Sequence, residues 1–168
     1  QIVKFGSTAQ WLWPTPRVLT PELASEAMAF AQDIHADLGG TEIHSPLHTA
    51  LTTQAHHDTY PHQVLVLLTD GAVSNEDAIF SMARSHKARW RMMTVGIGHA
   101  VSQTLVQGLA RVTDGTCEMY SPGEALLPLV DRLASRLRCP PQPHDLDWGG
   151  MEVETSPNDG TQISPGEH

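Results

Sequence analysis

The sequence predicts an α/β fold, an open and mostly parallel sheet with helices on both faces, and three observations lead there. Apolar runs and amphipathic helical stretches alternate through about residue 138. Val64-Leu65-Val66-Leu67-Leu68 is uninterrupted and only five residues long, the pattern of a parallel strand covered by helices on both faces. Asp70-Gly71 and Gly98 follow directly on apolar runs, at the carboxyl ends of strands, where such sheets gather their binding loops.

Taken in order, Ile2 to Phe5 reads as a strand ended by Gly6-Ser7, and Trp11-Leu12-Trp13 before Pro14 as a short edge strand. The first helix has a capping Thr20 and Pro21 at its first position. Leu23, Ala27, Phe30 or Ala31, Ile34 and Leu38 then repeat at helical spacing until Gly39-Gly40. A shorter helix covers Ile43 to Thr52. After the Val64–Leu68 strand, Ser74 caps a helix carrying Ala78, Ile79, Met82 and Ala83, and Met92 to Ile97 forms the next strand. Ser102 caps a helix with Leu105, Val106, Leu109 and Ala110, and Thr116 to Tyr120 is a last strand. Ser121-Pro122-Gly123-Glu124 matches a capping box before a helix from Leu126 to Leu137, which Pro128 kinks or delays.

From Cys139 onward there is no Lys or Arg, and Pro140, Pro141, Pro143, Pro157 and Pro165 interrupt any helix. Only Leu146 to Trp148 and Met151 to Glu154 look able to pair as strands. Residues 1–138 are therefore expected to form one domain, and residues 139–168 a Pro-rich linker and the start of a β-rich region. The apolar opening Ile2-Val3-Lys4-Phe5, with no initiator Met, reads as part of a longer polypeptide.

A length of 168 residues with 40% hydrophobic and 17% charged positions suits one domain plus a tail. Ten Lys and Arg against nineteen Asp and Glu give a net charge of −9, which repels a phosphate backbone and argues against nucleic-acid binding. No apolar run approaches the ~20 residues of a membrane helix, and no charged-then-apolar leader opens the chain, so membrane insertion is not expected. Two cysteines make neither a disulfide framework nor a four-thiolate zinc site, and leave the compartment open.

The candidate chemistry lies at strand ends. Asp70, placed after five apolar residues, suits three roles: holding a cation, acting as a nucleophile, or capping the next helix. Gly39-Gly40-Thr41-Glu42 offers close backbone approach and a hydroxyl facing the same end of the sheet. Together with Leu67-Leu68-Thr69-Asp70-Gly71 and Thr94-Val95-Gly96-Ile97-Gly98, the order and spacing resemble a von Willebrand factor type A (VWA) domain, a Rossmann-like fold.

Phe5-Gly6-Ser7, Ala36 to Ile43, Leu109-Ala110, Gly115-Thr116 and Asp147-Trp148-Gly149 narrow the likeness to members that follow a vault protein inter-alpha-trypsin (VIT) domain. That subgroup includes the inter-alpha-trypsin inhibitor heavy chains and the VWA domain-containing proteins 5. The likeness runs from Gln1 to about Arg138, with Asp147-Trp148-Gly149 opening the following β-rich region.

This resemblance implies a non-catalytic, adhesion-type interaction domain with a metal-ion-dependent adhesion site. In such a site Mg²⁺, or Mn²⁺, sits at the top of the sheet with an open position for a carboxylate from a protein ligand. By resemblance Thr41 supplies a hydroxyl and Asp70 a carboxylate acting through water, with Gly40, Glu42 and Gly71 around the ligand. Hard oxygens and retained water are what Mg²⁺ prefers.

The family's first loop carries Asp-x-Ser-x-Ser, and no such pattern occurs in this sequence. Thr41 and Asp70 alone offer two oxygens, so weak or absent Mg²⁺ binding is expected without an upstream segment. The resemblance also places the family's first strand upstream of Gln1, between the second and fourth strands of the sheet. Its loss leaves unpaired central edges. The expectation is a longer chain, or a sheet in which Ile2–Phe5 pairs directly with Val64–Leu68.

Other signals carry less. His44 and His48 stand four apart on a helix, and His56-His57 lie near His62, yet no Glu follows the first His as a zinc H-E-x-x-H motif requires. Cys117 and Cys139 fall at the same end of the sheet, compatible with a disulfide in an oxidising compartment. Trp11 and Trp13 suit a partner surface or packing under the edge strand. A haloacid-dehalogenase-like phosphotransferase also puts Asp after an apolar strand, but it needs a second Asp two residues on, where Ala72 stands. The remaining alternative is a degenerate, metal-free VWA scaffold that packs on neighbouring domains or partners.

Overall fold

The structure, a computed structural model, describes residues 1–35, 39–53, 63–71, 73 and 75–138, with strand residues 142–143 and 162–163. Contacts divide the chain into two units, Gln1–Met119 and Tyr120–His168.

The first unit opens with an antiparallel hairpin of β1 (Val3–Phe5) and β2 (Ala9–Trp11), in register Val3↔Trp11, Lys4↔Gln10 and Phe5↔Ala9. The Gly6 N–H donates to the Thr8 carbonyl at 2.9 Å, closing a tight local turn. This corrects the pairing expected between Ile2–Phe5 and Val64–Leu68. A connection of a few residues closes at far lower entropic cost than one spanning much of the domain, so β1 takes its partner from next door. The second strand lies at Ala9–Trp11 rather than Trp11–Trp13, and Trp13 turns inward to 4% exposure. Of the two readings for the tryptophans, packing holds for Trp13.

Helix α1 (Pro21–Gln32) begins as its cap dictates, with the Thr20 hydroxyl accepting the Leu23 N–H at 3.3 Å. It ends at Asp33, earlier than the spacing to Leu38 suggested, and Leu38 lies outside the described residues. Helix α2 (His44–Thr52) buries Pro46, Leu47 and Leu51. Strand β3 (Gln63–Thr69) runs parallel to β4 (Trp90–Ile97), with Leu65 opposite Met92 and Leu67 opposite Thr94. Strand β5 (Thr116–Tyr120) lies on the other side of β4. Helices α3 (Glu76–Ser85) and α4 (Gln103–Val112) connect these strands. Ser74, the expected cap of α3, lies outside the described residues; Asn75 occupies the cap position and makes no side-chain capping bond.

The core forms where Ile43 at the cap of α2, Leu47 and Leu51 within it, Ile79 and Ala83 of α3, and Leu105 and Leu109 of α4 meet Leu67 and Met92 of the sheet. Two buried hydroxyls fasten α4 to β4. Thr94 Oγ1 donates to the Val106 carbonyl at 2.7 Å. Thr113 Oγ1 accepts the Met92 N–H at 3.1 Å and donates to the Leu109 carbonyl at 2.8 Å. The mixed α/β architecture matches the expected class.

One element departs from expectation. Strand β3 is not covered on both faces: Leu67 is buried while Val64, Val66 and Leu68 are 42%, 39% and 54% exposed. Side chains alternate across a strand, so the helical layer that buries Leu67 cannot reach its neighbours in sequence. Strand β4, by contrast, is buried continuously from Met92 to Gly96.

In the second unit, Ser121–Glu124 forms a turn in which the Glu124 carboxylate accepts the Ser121 N–H at 3.3 Å. This is one half of the expected capping box. Helix α5 (Leu126–Arg138) starts beyond it with Pro128 in its first turn, where a missing N–H costs no helical bond. β6 (Gln142–Pro143) pairs antiparallel with β7 (Gln162–Ile163). The short strands expected at Leu146–Trp148 and Met151–Glu154 lie outside the described residues, as do Cys139, His56, His57 and His62. Cys117 is half-buried in β5.

Candidate functional site

The carboxyl end of β3 and the turn before α2 meet on one rim. Thr69, 5% exposed, closes the strand, and its hydroxyl accepts the Gly71 N–H at 3.4 Å. This two-residue side-chain turn leaves Asp70 exposed at its apex. Gly71 then passes hard against Thr41: a Cβ on Gly71 would lie 2.4 Å from Thr41 Oγ1 and 3.2 Å from its Cβ. Only glycine permits that approach. The Thr41 hydroxyl therefore lies beside the residue that follows Asp70.

The turn carrying Thr41 is anchored on both sides to the β1–β2 hairpin. The Gly40 N–H donates to Ser7 Oγ at 3.0 Å and the Glu42 N–H to the Gly6 carbonyl at 2.9 Å. Gly39 has φ of +78°, and a Cβ there would meet Ser7 Oγ at 2.7 Å, so both its conformation and its surroundings demand glycine. Ser7 is the anchor that sequence reasoning missed as such. Its only signal was the Phe5-Gly6-Ser7 stretch, read as a strand end and as part of the family likeness.

Glu42 has a local task. Ile43 at the cap position of α2 offers no side-chain acceptor, and Glu42 Oε1 accepts the His44 N–H at 3.0 Å instead. Beside Thr41 a half-open depression of about 200 Å³ is lined by residues that include Glu42, His44 and Asn75 over Ile43 and Ile79. At the helix ends nearby, Ser102 Oγ accepts the Leu105 N–H at 3.1 Å and donates to Glu76 Oε1 at 2.5 Å. That pair ties the start of α4 to the first turn of α3.

Chemically, the rim offers a hydroxyl oxygen from Thr41 and an exposed carboxylate from Asp70. These are hard ligands, suited to Mg²⁺ rather than to a softer metal. They fill two of the six positions Mg²⁺ needs, and among the described residues no three His, Cys, Asp or Glu side chains gather to hold a metal. The set fits part of a cation site and not the whole of one. Among the described residues no helix is long and apolar enough to cross a membrane.

Comparison with known proteins agrees with this architecture. A family model described as von Willebrand factor type A domain matches residues 1–119. The human von Willebrand factor A domain-containing protein 5B1 is 32% identical over 170 residues, covering 99% of this chain and 14% of its own length. A Dictyostelium discoideum VWA domain-containing protein is 32% identical over 96% of the chain and 17% of its own length. The rat VWA domain-containing protein 5A is 30% identical over 88% and 18% respectively. The chain thus spans less than a fifth of the length of these relatives. With a matching family model over most of its length and a mixed α/β architecture built on a parallel three-stranded sheet, the chain belongs to the von Willebrand factor type A domain family, whose members are generally protein-interaction modules.

Proposed function

We propose that this domain is a non-catalytic protein-interaction module whose ligand site is the Thr41–Asp70 rim, assisted by Mg²⁺ or Mn²⁺. The observation that supports this reading is the contact of the Thr41 hydroxyl with Gly71, which sets hydroxyl and carboxylate on one exposed edge although 29 positions separate them in sequence. When bound, the cation offers a coordination position to a carboxylate of the partner protein. Thr41 contributes a neutral oxygen, Asp70 a charged one through water, and Gly40 and Gly71 let the partner approach the backbone. Glu42 holds the start of α2 and so the position of Thr41. The remaining oxygens come from an Asp-x-Ser-x-Ser segment of a longer polypeptide, in which a VIT domain and a β-rich region are the neighbours. Relatives several times longer than this chain leave room for both.

Calorimetry with Mg²⁺ and Mn²⁺ tests the reading on a longer polypeptide carrying that segment. Asp70→Ala and Thr41→Ala each weaken binding, and the 168-residue chain alone binds weakly or not at all. Unchanged affinity in both variants removes the two positions from the site. A metal-free scaffold is the second reading, favoured by the engagement of Glu42 in the α2 cap. In that case partner binding is indifferent to chelation by EDTA.

A further inference from the structure

We propose that Thr20, in the exposed segment before α1, is a phosphorylation site for a proline-directed protein kinase that also reads the arginine three residues earlier. Of the Ser-Pro and Thr-Pro pairs in the chain, at Thr15, Thr20, Ser45, Ser121, Ser156 and Ser164, Thr20 alone has such an arginine, Arg17. The structure presents the same stretch as a substrate. Residues 16–20 lie outside any helix or strand, and Arg17, Val18, Leu19 and Thr20 are all exposed. Among the described residues no hydrogen bond ties Arg17, Val18 or Leu19. Thr20 itself is extended, with φ of −111° and ψ of 166°. Val18 and Leu19 are 69% and 67% exposed, so two apolar side chains that the core leaves unclaimed stand between the cation and the acceptor. Ser45, in contrast, lies in the first turn of α2, and Ser121 is half-buried in a turn.

A kinase takes its substrate as an extended chain, because in-line transfer needs the hydroxyl held against the terminal phosphate of ATP. A segment already extended and unbonded loses little on entering such a cleft. Arg17 places a cation where a carboxylate-lined pocket can fix the register, a use of charge pattern by which kinases separate substrates. Pro21 lacks an N–H and has a fixed φ, which suits a cleft that asks no hydrogen bond of the residue after the acceptor. Beyond Pro21 the chain is helical, yet α1 contains no buried residue, so its first turn opens at small cost. In the transfer Thr20 Oγ1 attacks the γ-phosphorus of ATP, and the new O–P bond forms as the bond to the bridging oxygen breaks. ADP leaves with that electron pair, and the hydroxyl proton passes to the kinase's catalytic carboxylate. The added group carries a charge of about −1.5 to −2 at neutral pH. Its oxygens accept the N–H groups of Glu22 and Leu23, with Arg17 close by in sequence to neutralise them. The Glu22 carboxyl, held low by its own N–H and the Thr20 hydroxyl in the unmodified chain, loses both partners and its pKa rises.

The test is incubation of the 168-residue chain with ATP, Mg²⁺ and a proline-directed serine/threonine kinase that carries an acidic pocket for the third residue before the acceptor, with the modified positions read by tandem mass spectrometry. The first phosphate goes to Thr20. Arg17→Ala lowers kcat/KM at Thr20 by at least about tenfold, the loss of one charge-assisted contact. Thr20→Asn keeps a side chain that caps α1 but offers no hydroxyl, so it removes this phosphate while the domain still folds. In the modified chain, NMR shows the Glu22 carboxyl titrating at higher pH and the Leu23 N–H resonance shifted, as coupling of the phosphate to α1 requires. Thr20 left bare, a first phosphate on Thr15, Ser156 or Ser164 instead, or an unchanged rate in Arg17→Ala overturns the proposal.

Discussion

Gly115, Gly96 and Gly71 each face a close neighbour, and what that neighbour is sets the cost of filling the space. A Cβ on Gly115 would lie 1.8 Å from the Met92 carbonyl oxygen, a backbone atom in the middle of the domain, while Asp114 before it is already at φ +52°. At Gly96 the nearest atom is the Met119 sulfur at 2.8 Å, the end of a flexible side chain. Gly115→Ala is therefore expected to destabilise by about 3 kcal/mol or more and Gly96→Ala by about 1 kcal/mol, in chemical denaturation. Comparable losses would show that the wall at Gly115 yields. If the proposed cation site is correct, Gly71→Ala, by pushing the Thr41 hydroxyl off the rim, is expected to weaken Mg²⁺ affinity in calorimetry beyond its effect on stability. Glu22 supplies a pH dependence. Its own backbone N–H and the Thr20 hydroxyl hold its carboxyl below the ordinary 4.5. A carboxyl lowered on folding adds stability above its unfolded value and loses it as pH falls through the folded one. Glu22→Gln should abolish that acid-side loss, followed by NMR titration of α1.

Helix α4 shows how an element is held at its two ends by different means. Ser102 caps its start, legible from the sequence because a serine stands just before the apolar spacing of Leu105, Val106, Leu109 and Ala110. Thr113 at its other end gave no such sign. It is 1% exposed and serves the Met92 N–H of a neighbouring strand, a partner 21 positions away. Ser102→Ala costs about 1 kcal/mol, the usual loss of a helix N-cap. Thr113→Val strands a buried N–H and should cost about 1–3 kcal/mol despite its matching shape. Urea denaturation ranks the two, and a larger loss at Ser102 would refute the assignment.

For the whole molecule, β3 divides the sheet energetically. Its Leu67 belongs to the core shared with α2, α3 and α4, and its Val66 is 39% exposed. Leu67→Ala is expected to cost about 2–5 kcal/mol, the range of a buried leucine. Val66→Thr changes stability by no more than about 0.5 kcal/mol. A large loss at Val66, measured by equilibrium unfolding, would mean that this face is covered in solution. The contrast also locates the rim: Thr69 and Asp70 continue the same alternation, so the buried hydroxyl of one throws the carboxylate of the other outward.

Periodicity and punctuation made most elements readable in the sequence. Thr20 with Pro21, Ser102 with Leu105, and the run Thr116–Tyr120 are local signals, and the chain obeys them because a cap or a strand residue acts on atoms a few bonds away. That Thr41 faces the same end of the sheet as Asp70 was expected from the Gly39-Gly40 turn, and resemblance to a family gave the two a shared role. The contacts behind it are long-range: Ser7 reaches Gly40 across 33 positions, and Gly71 abuts Thr41. The open face of β3, the local pairing of β1 and the buried role of Thr113 followed from which surfaces meet. An apolar run such as Val64–Leu68 reports that its side chains favour burial; how many neighbouring layers are there to bury them depends on the packing of every other element.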